Sequence, residues 1–338
     1  MRKSKLMAIG LGLTLAAGSA SAGTLDDVRA NGKLICGVHF GLAGFAAPDD
    51  EGNFQGLDVD VCRAVAAAVF GDANAVDYTS VTAKTRFTAL QGGEIDMLSR
   101  NTTWTYNRDT SLGLDFTGVT YYDGQGFMVR KDLGAKSATE LDGATVCTST
   151  GTTTELNLKD YFDGNNMTYK VVAFEKEAEV VAAYEAGRCD VYTTDASALA
   201  AARVQLSNAD EHMILPEIIS KEPLGPVVRQ GDDQWGDIVR WTLWVMDTGE
   251  ELGITSANVD QIKAETTSPE IKRILGIEGE IGVPLKLNND FAYQIIKQVG
   301  NYAESFNRHV GPDTPLGLDR GLNASWKNGG LRYAAPVR

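Results

Sequence analysis

An α/β fold in two lobes is what this sequence predicts, on three observations. Short apolar runs rich in β-branched residues alternate with helical periods, the pattern of mainly parallel sheets covered by helices. Two stretches, YYDGQGFMV near residue 125 and KEPLGPVV near residue 225, contain glycine, and the second also has two prolines, as crossings between lobes would. About 300 residues follow an amino-terminal export segment, and the 43% hydrophobic content is enough to fill two lobes.

The chain opens with Arg2, Lys3 and Lys5, an apolar run from Leu6 to Ala17, and small residues ending Ala20-Ser21-Ala22. That layout is a secretory signal peptide over residues 1–22, with cleavage expected after Ala22 and release into the periplasm. No later stretch approaches the roughly 20 apolar residues of a spanning helix. The first cysteine, Cys36, lies well inside the chain, so a lipid tether at the cleavage point is not expected. The full chain carries a charge of −14; without the three signal cations the mature chain has 28 cations against 45 acids, or −17. Nucleic acid and anionic membrane surfaces are therefore poor partners, and a soluble monomer is expected.

Candidate strands follow in order: LICGVHF (34–40), VDYTSV (76–81), IDMLS (95–99), GFMVRK (126–131), ATVCTS (144–149), YKVVAF (169–174) and CDVYTT (189–194). GLDVDVCRAVAAAVFG reads as a helix with Leu57, Val61, Val65 and Val69 on one face. Asp58 and Asp60 stand near its N-terminal end, where the helix dipole favours anions. DDQWGDIVRWTLWVMDTGEELG reads as a helix with Ile238, Trp241 and Val245 as its core stripe, and its tryptophans read as core. NNDFAYQIIKQVGNYAESFNRHVG reads as one further long helical segment, before a glycine-rich tail whose default role is packing over the first lobe. If both glycine-bearing stretches are crossings, the second lobe is inserted into the first, giving lobe 1 as 23–126 plus 223–338, the latter including a C-terminal extension, and lobe 2 as 127–222.

Four cysteines in an exported chain favour two disulfides, with three connectivities open. Pairing within each lobe, Cys36 with Cys62 and Cys147 with Cys189, is the expected choice. Loops of that size contribute about 3 to 4 kcal/mol each in the chain-entropy account. No CxxC pair occurs and His39, His212 and His309 stand far apart, so neither a metal site nor a cofactor is expected.

Three separated segments share one chemistry. NTTWTYNRD (101–109) follows the strand IDMLS, where a sheet's carboxyl end presents its loop to a ligand crevice. TSTGTTTE (148–155) ends a strand and starts a helix, with Thr152 and Glu155 at capping-box spacing and free N–H groups that suit an anion. AGRCDVYTTD (186–195) is a strand running out into Asp195. A site built from all three holds a cation, an anion and neutral hydrogen-bonding groups, the complement of a free amino acid: Arg108 for the α-carboxylate, Asp195 for the α-ammonium. The plainer alternatives are an Arg108 paired with Asp109 or Asp115 at the surface and an Asp195 that merely caps the helix ASALAAARV.

These motifs carry a resemblance. GLDVDVCRAVA resembles the glycine-apolar-acid-apolar-acid signature of the bacterial polar amino-acid solute-binding proteins, extracellular solute-binding protein family 3. GGEIDM with Thr105 to Arg108, GTTTE and GRCDVYTTD resemble its carboxylate-binding segment, second-lobe anion loop and ammonium-binding aspartate. YYDGQGFMV, RGLN and GGLRY are similar to the general L-amino acid binding proteins of proteobacterial ABC transporters. The resemblance implies a type II periplasmic binding-protein fold whose cleft closes on an L-amino acid. Arg108 and Thr103 would hold the carboxylate from the first lobe, Thr152 and Thr153 from the second, and Asp195 the ammonium, with Asn101 as a further polar contact. The family covers its ligand with an aromatic after the first strand; Leu42 stands there, between Phe40 and Phe45, so all three are pocket candidates. Arg86 is a fourth, with a solvated helix face as its plainer reading. The implied partners are inner-membrane ABC permease subunits with a cytoplasmic ATPase, since no P-loop occurs in this chain. The alternatives are a cyclohexadienyl-dehydratase-like enzyme on the same fold, which would convert arogenate or prephenate, and an amino-acid sensor subunit.

Overall fold

The computed structural model describes residues 23–338; the signal segment and its cleavage point lie outside the described residues. The strands are β1 (Leu34–Val38), β2 (Ala47–Pro48), β3 (Phe54–Gln55), β4 (Val76–Ser80), β5 (Met97–Leu98), β6 (Leu114–Phe116), β7 (Tyr121–Asp123), β8 (Gln125–Arg130), β9 (Ala144–Ser149), β10 (Tyr169–Phe174), β11 (Val191–Asp195), β12 (His212–Ile214), β13 (Glu222–Leu224) and β14 (Val227–Arg229). They build two five-stranded sheets, ordered β4-β1-β5-β14-β6 and β10-β9-β11-β8-β12, one per lobe.

In the first sheet β1 pairs parallel with β4 and β5, while β14 runs antiparallel to β5 and β6. In the second, β9 pairs parallel with β10 and β11, while β8 runs antiparallel to β11 and β12. Each sheet is thus mainly parallel with one reversed strand, β14 or β8. Both reversed strands come directly after a crossing. A chain arriving from the cleft meets the carboxyl ends of the other strands and has to run back along them.

The crossings are β7 and β13, which pair antiparallel with Asp123 opposite Glu222 and Tyr121 opposite Leu224. Gly225 is required where they meet the first lobe. A Cβ there would lie 1.9 Å from the Gly118 carbonyl oxygen, and the Gly225 N–H donates to Thr102 O at 3.0 Å.

Both faces of the second sheet are buried, which explains why its strands are near-continuous apolar runs. Phe127, Val129, Val146 and Val191 pack on one face; Met128, Cys147 and Tyr192 pack on the other. Disulfides join Cys36 to Cys62 and Cys147 to Cys189, so each closes within its own lobe. Cys189 lies just before β11 rather than in a strand.

Helix Leu57–Phe70 buries Leu57, Val61, Val65 and Val69 as expected, but also Asp58 and Asp60. Asp60 is not a solvated anion at a helix start. It accepts from Ser305 Oγ at 2.7 Å and His309 Nε2 at 2.9 Å and pairs with Arg308, which ties the helix to the C-terminal region. In helix Asp233–Glu251, Ile238 and Val245 are buried, but Trp241 is only partly so and meets Trp244 edge-on at 4.8 Å. The core tryptophan is Trp235, whose Nε1 donates to Asp96 O at 3.0 Å.

The expected long helix after residue 290 is two helices, Phe291–Gln298 and Tyr302–His309. Gly300 breaks it at φ +98°, and Asn301 with Glu304 forms a capping box that starts the second. The tail does more than cover the first lobe. Asn323 holds the first crossing at both ends of one residue: Tyr122 N–H donates to Asn323 Oδ1 at 2.7 Å, and Asn323 Nδ2 donates to Tyr122 O at 3.1 Å.

Candidate functional site

The carboxyl ends of five strands supply the cleft, as expected for an α/β crevice. His39 follows β1, Arg100 to Thr103 follow β5, Ser149 to Thr154 follow β9, Glu175 to Glu177 follow β10, and Thr194 and Asp195 end β11. With Ala83 and Arg86 they line a small cavity between the lobes. The lobes touch across it: His39 Nε2 lies 2.9 Å from Glu177 Oε2, and Thr82 Oγ1 donates to Glu175 at 3.4 Å. The form described is therefore a closed one.

Of the sequence-predicted residues, Asn101, Thr103, Thr152, Thr153, Asp195 and Arg86 line this cavity. Arg108 stands one layer behind, its Nη1 donating to Thr103 O at 2.9 Å and its guanidinium 5.3 Å from the Phe87 ring centroid. It pairs with neither Asp109 nor Asp115 among the described residues, so the surface-pair alternative is set aside. Arg86 is not on a solvated helix face: it is 3% exposed and lies 4.9 Å from the same Phe87 ring. Leu42 and Phe45 are not pocket residues. Both are buried in the first-lobe core, Phe45 edge-on to Tyr121, because the loop after β1 folds back under helix Leu57–Phe70. Phe40 is 73% exposed, beside a neighbouring pocket that shares His39, Arg100 and Glu177 with the cavity.

The capping box expected of the second segment does not form. Thr152 is the N-cap of helix Thr153–Gly164, but its hydroxyl donates to Ser149 O at 2.7 Å, and Glu155 accepts from Gly151 N–H at 2.8 Å. Thr153 Oγ1 donates to Glu222 at 3.0 Å. Both hydroxyl protons are thus used internally, and what this turn still offers an anion is its N–H groups, which have no intrahelical acceptor. Asp195 sits at the N-cap of helix Ala196–Arg203 yet makes no capping bond, which disposes of the plain cap.

Electrostatically the site is bipolar. Arg86, Arg100 and Arg108 are all buried, and none forms an ion pair among the described residues. Burial lowers the pKa of each guanidinium, and in Arg86 the neighbouring Arg108 and Arg100 add to the effect. Burial also pushes the Asp195 carboxyl well up, helped by Asp123 and Glu222, and burial holds Asp123 at about 6. A buried ion without a close partner costs several kcal/mol, so the cavity favours a ligand that brings both an anion and a cation.

Four wall or support residues escaped the sequence reading: His39, Arg100, Glu177 and Asp58. The first three lie within three residues of a strand end, and that position was their available signal. Asp58 accepts from Asn101 N–H at 2.8 Å and so holds Asn101 at φ +24°, a strained backbone at the lip of the cavity.

Burial pushes Asp58 up to about 6, against the Asn101 hydrogen bond and the field of Arg100. Because this folded value exceeds that of an unfolded aspartate, its contribution to stability is intact below about pH 4 and is lost as pH rises through 6. Asp58→Asn keeps an acceptor for Asn101. Its effect on stability is expected to be about 2 to 3 kcal/mol more favourable at pH 7.5 than at pH 4. Urea unfolding at both pH values checks this, and an equal effect at both would contradict it.

Two lobes that close over a buried, bipolar cavity define a clamp for a small ligand. Residues 34–257 match the bacterial extracellular solute-binding proteins, family 3, and the chain belongs to that family. It is 61% identical to the general L-amino acid-binding periplasmic protein AapJ of Rhizobium johnstonii, over 99% of this chain and 100% of that protein. It is 59% identical to the glutamate/glutamine/aspartate/asparagine-binding protein BztA of Rhodobacter capsulatus, over 96% of each. Among solved structures, an ABC transporter periplasmic binding protein from Brucella ovis with glutathione bound superposes with a TM-score of 0.92. The two chains share 57% identity, and the match covers 94% of this chain and 100% of that one.

Proposed function

We propose that this chain is the periplasmic substrate-binding subunit of an ABC transporter for L-amino acids, with broad specificity. The observation that carries the reading is a bipolar cavity in which buried arginines and a buried Asp195 share one cleft with no ion pair among the described residues. A zwitterion supplies a partner for each sign at once. The relatives support it: one takes L-amino acids generally, and the solved relative holds glutathione, whose glutamyl end keeps a free α-carboxylate and α-ammonium. They are binding proteins, and the chain is read as a binding protein rather than an enzyme.

In this reading Arg108 and Thr103 hold the carboxylate from the first lobe, the N–H groups at Thr152 and Thr153 hold it from the second, and Asp195 takes the ammonium. Asn101 closes the lip. The lobes are 23–126 with 223–338, and 127–222; the β7 and β13 crossings are the hinges about which they open and close. The mature protein works as a monomer after cleavage at Ala22. It delivers ligand to inner-membrane permease subunits driven by a cytoplasmic ATPase, and it has no nucleic-acid partner.

A thermal-shift panel tests this on protein unfolded and refolded to strip ligand, against the twenty L-amino acids, their decarboxylated amines and several sugars. A ligand at a thousandfold over its Kd adds about 4 kcal/mol of stability. Many amino acids should stabilise and the amines should not. Stabilisation by a sugar or a ring acid alone, or turnover of arogenate or prephenate, would overturn the assignment.

A further inference from the structure

Three carboxylates crowd the place where the crossings enter the second lobe. Asp123 ends β7 with Glu222 of β13 as its register partner. Asp195 ends β11 beside them, and the next N–H, that of Ala196, donates to Gly124 O at 2.8 Å. Glu222 and Asp195 are 2% and 6% exposed, and Asp123 is partly buried. None of the three forms an ion pair among the described residues. Like charges gathered in one buried place resist ionising together, so the group favours keeping a proton.

Hydrogen bonding decides which member keeps it. Glu222 accepts from Thr153 Oγ1 at 3.0 Å, Asn157 Nδ2 at 2.7 Å and Ser220 Oγ at 2.6 Å. Asp123 accepts from the Gly124 N–H at 2.8 Å and from the Ser197 hydroxyl. Donors of this kind favour the charged form of a carboxyl group. Asp195 lines the cavity but accepts from no donor among the described residues, so the proton belongs there. The electrostatics agree: burial raises the Asp195 carboxyl, Asp123, Glu222 and Glu177 raise it further, and Arg86 opposes them. The other titratable groups that feel Asp195 are Arg100, Arg108 and Tyr192.

We infer that Asp123 and Glu222 are positioning residues that act through Asp195: they keep a proton on it in the empty cleft, and the ligand's ammonium displaces that proton to solvent. The inference rests on the amino-acid reading above and adds a proton to its binding step. The Asp195 O–H bond breaks, the proton leaves with water, and the carboxylate accepts a hydrogen bond from the ammonium, which keeps its own three protons. Binding therefore weakens as pH falls, because the ligand has to displace a proton that is held more firmly.

Calorimetry of L-leucine and L-glutamine on the refolded mature protein counts the protons, in PIPES and in imidazole, two buffers of different ionisation enthalpy. Each ligand should release at least about half a proton at about pH 6.5, and affinity should fall at least about tenfold from about pH 7.5 to about pH 5.5. Asp123→Asn and Glu222→Gln each keep an acceptor and remove a charge. Each should cut the release by at least about half and the pH-dependent loss of affinity at least about threefold. A purely structural role would instead lower affinity equally at both pH values and leave the proton count as it was. No release from the natural protein overturns the inference, and so does an unchanged release in both variants, which would place the proton on Asp58 or His39. Amino acids that bind without releasing a proton sink this inference alone; if none binds at either pH, the amino-acid reading falls with it.

Discussion

Arg108→Ala is expected to lower affinity for every L-amino acid about 100- to 1000-fold while leaving the ligand-free fold intact. The guanidinium is 7% exposed, carries no ion pair among the described residues and is steadied by Thr103 O and the Phe87 ring. Charge-assisted bonds to a carboxylate contribute about 1.5 to 3 kcal/mol each, so a two-pronged fork accounts for about 3 to 4 kcal/mol after partial compensation. The ligand-free protein loses a buried cation that has no ion-pair partner among the described residues, which offsets the loss of packing on Phe87. Calorimetry should show the same fold-loss for glutamate and leucine, since both present the same α-carboxylate. Undiminished binding, or a loss confined to glutamate, would mean that Arg86 and Arg100, which line the cavity, hold the α-carboxylate instead.

Arg332→Met is expected to destabilise the protein by about 3 to 5 kcal/mol, the largest stability effect anticipated from a single side chain outside the cleft. Arg332 is 4% exposed and donates from Nε and Nη2 to Asp247 Oδ1 at 2.8 and 2.6 Å. Its Nη1 donates to Val119 O and its guanidinium lies 3.7 Å from the Tyr302 ring centroid. The Tyr302 hydroxyl donates to Thr120 O at 2.7 Å. Removing the cation leaves Asp247 charged and buried and releases the carbonyl next to the first crossing. Urea unfolding of Arg332→Met, with Arg332→Met/Asp247→Leu beside it, measures the effect. The double variant should recover most of the loss, because two apolar side chains replace an ion pair more cheaply than one orphaned charge. A double variant as unstable as the single one would mean that the contact to the crossing, not the ion pair, carries the energy.

Much of the site was readable because its chemistry follows strand ends. Asp195, Thr152 and Asn101 each come directly after a β-branched apolar run, and in an α/β fold such positions face a crevice. The same rule applied to LICGV and IDMLS points at His39 and Arg100. Arg86 follows no strand and sits on a short helix whose local pattern suits solvent as well as burial. Its place is decided by Thr102, which reaches it from the loop after β5. Leu42 and Phe45 show the converse: position relative to the first strand suggested a pocket, and the turn of the chain beneath helix Leu57–Phe70 made them core.

Local sequence carried the alternation of strands and helices, the glycine-bearing stretches and the three segments whose groups match a zwitterion, and it left the cysteine pairing open. All of these depend on neighbours within a few residues or on which residue types are present. Long-range packing set which strands are reversed, which cysteines pair, that the tail fastens the first crossing through Asn323 and Arg332, and that three arginines are buried without an ion pair among the described residues. Those outcomes depend on which surfaces meet between distant stretches of chain. A charge costs little in water and several kcal/mol in a closed cleft, so its role is set where the lobes come together.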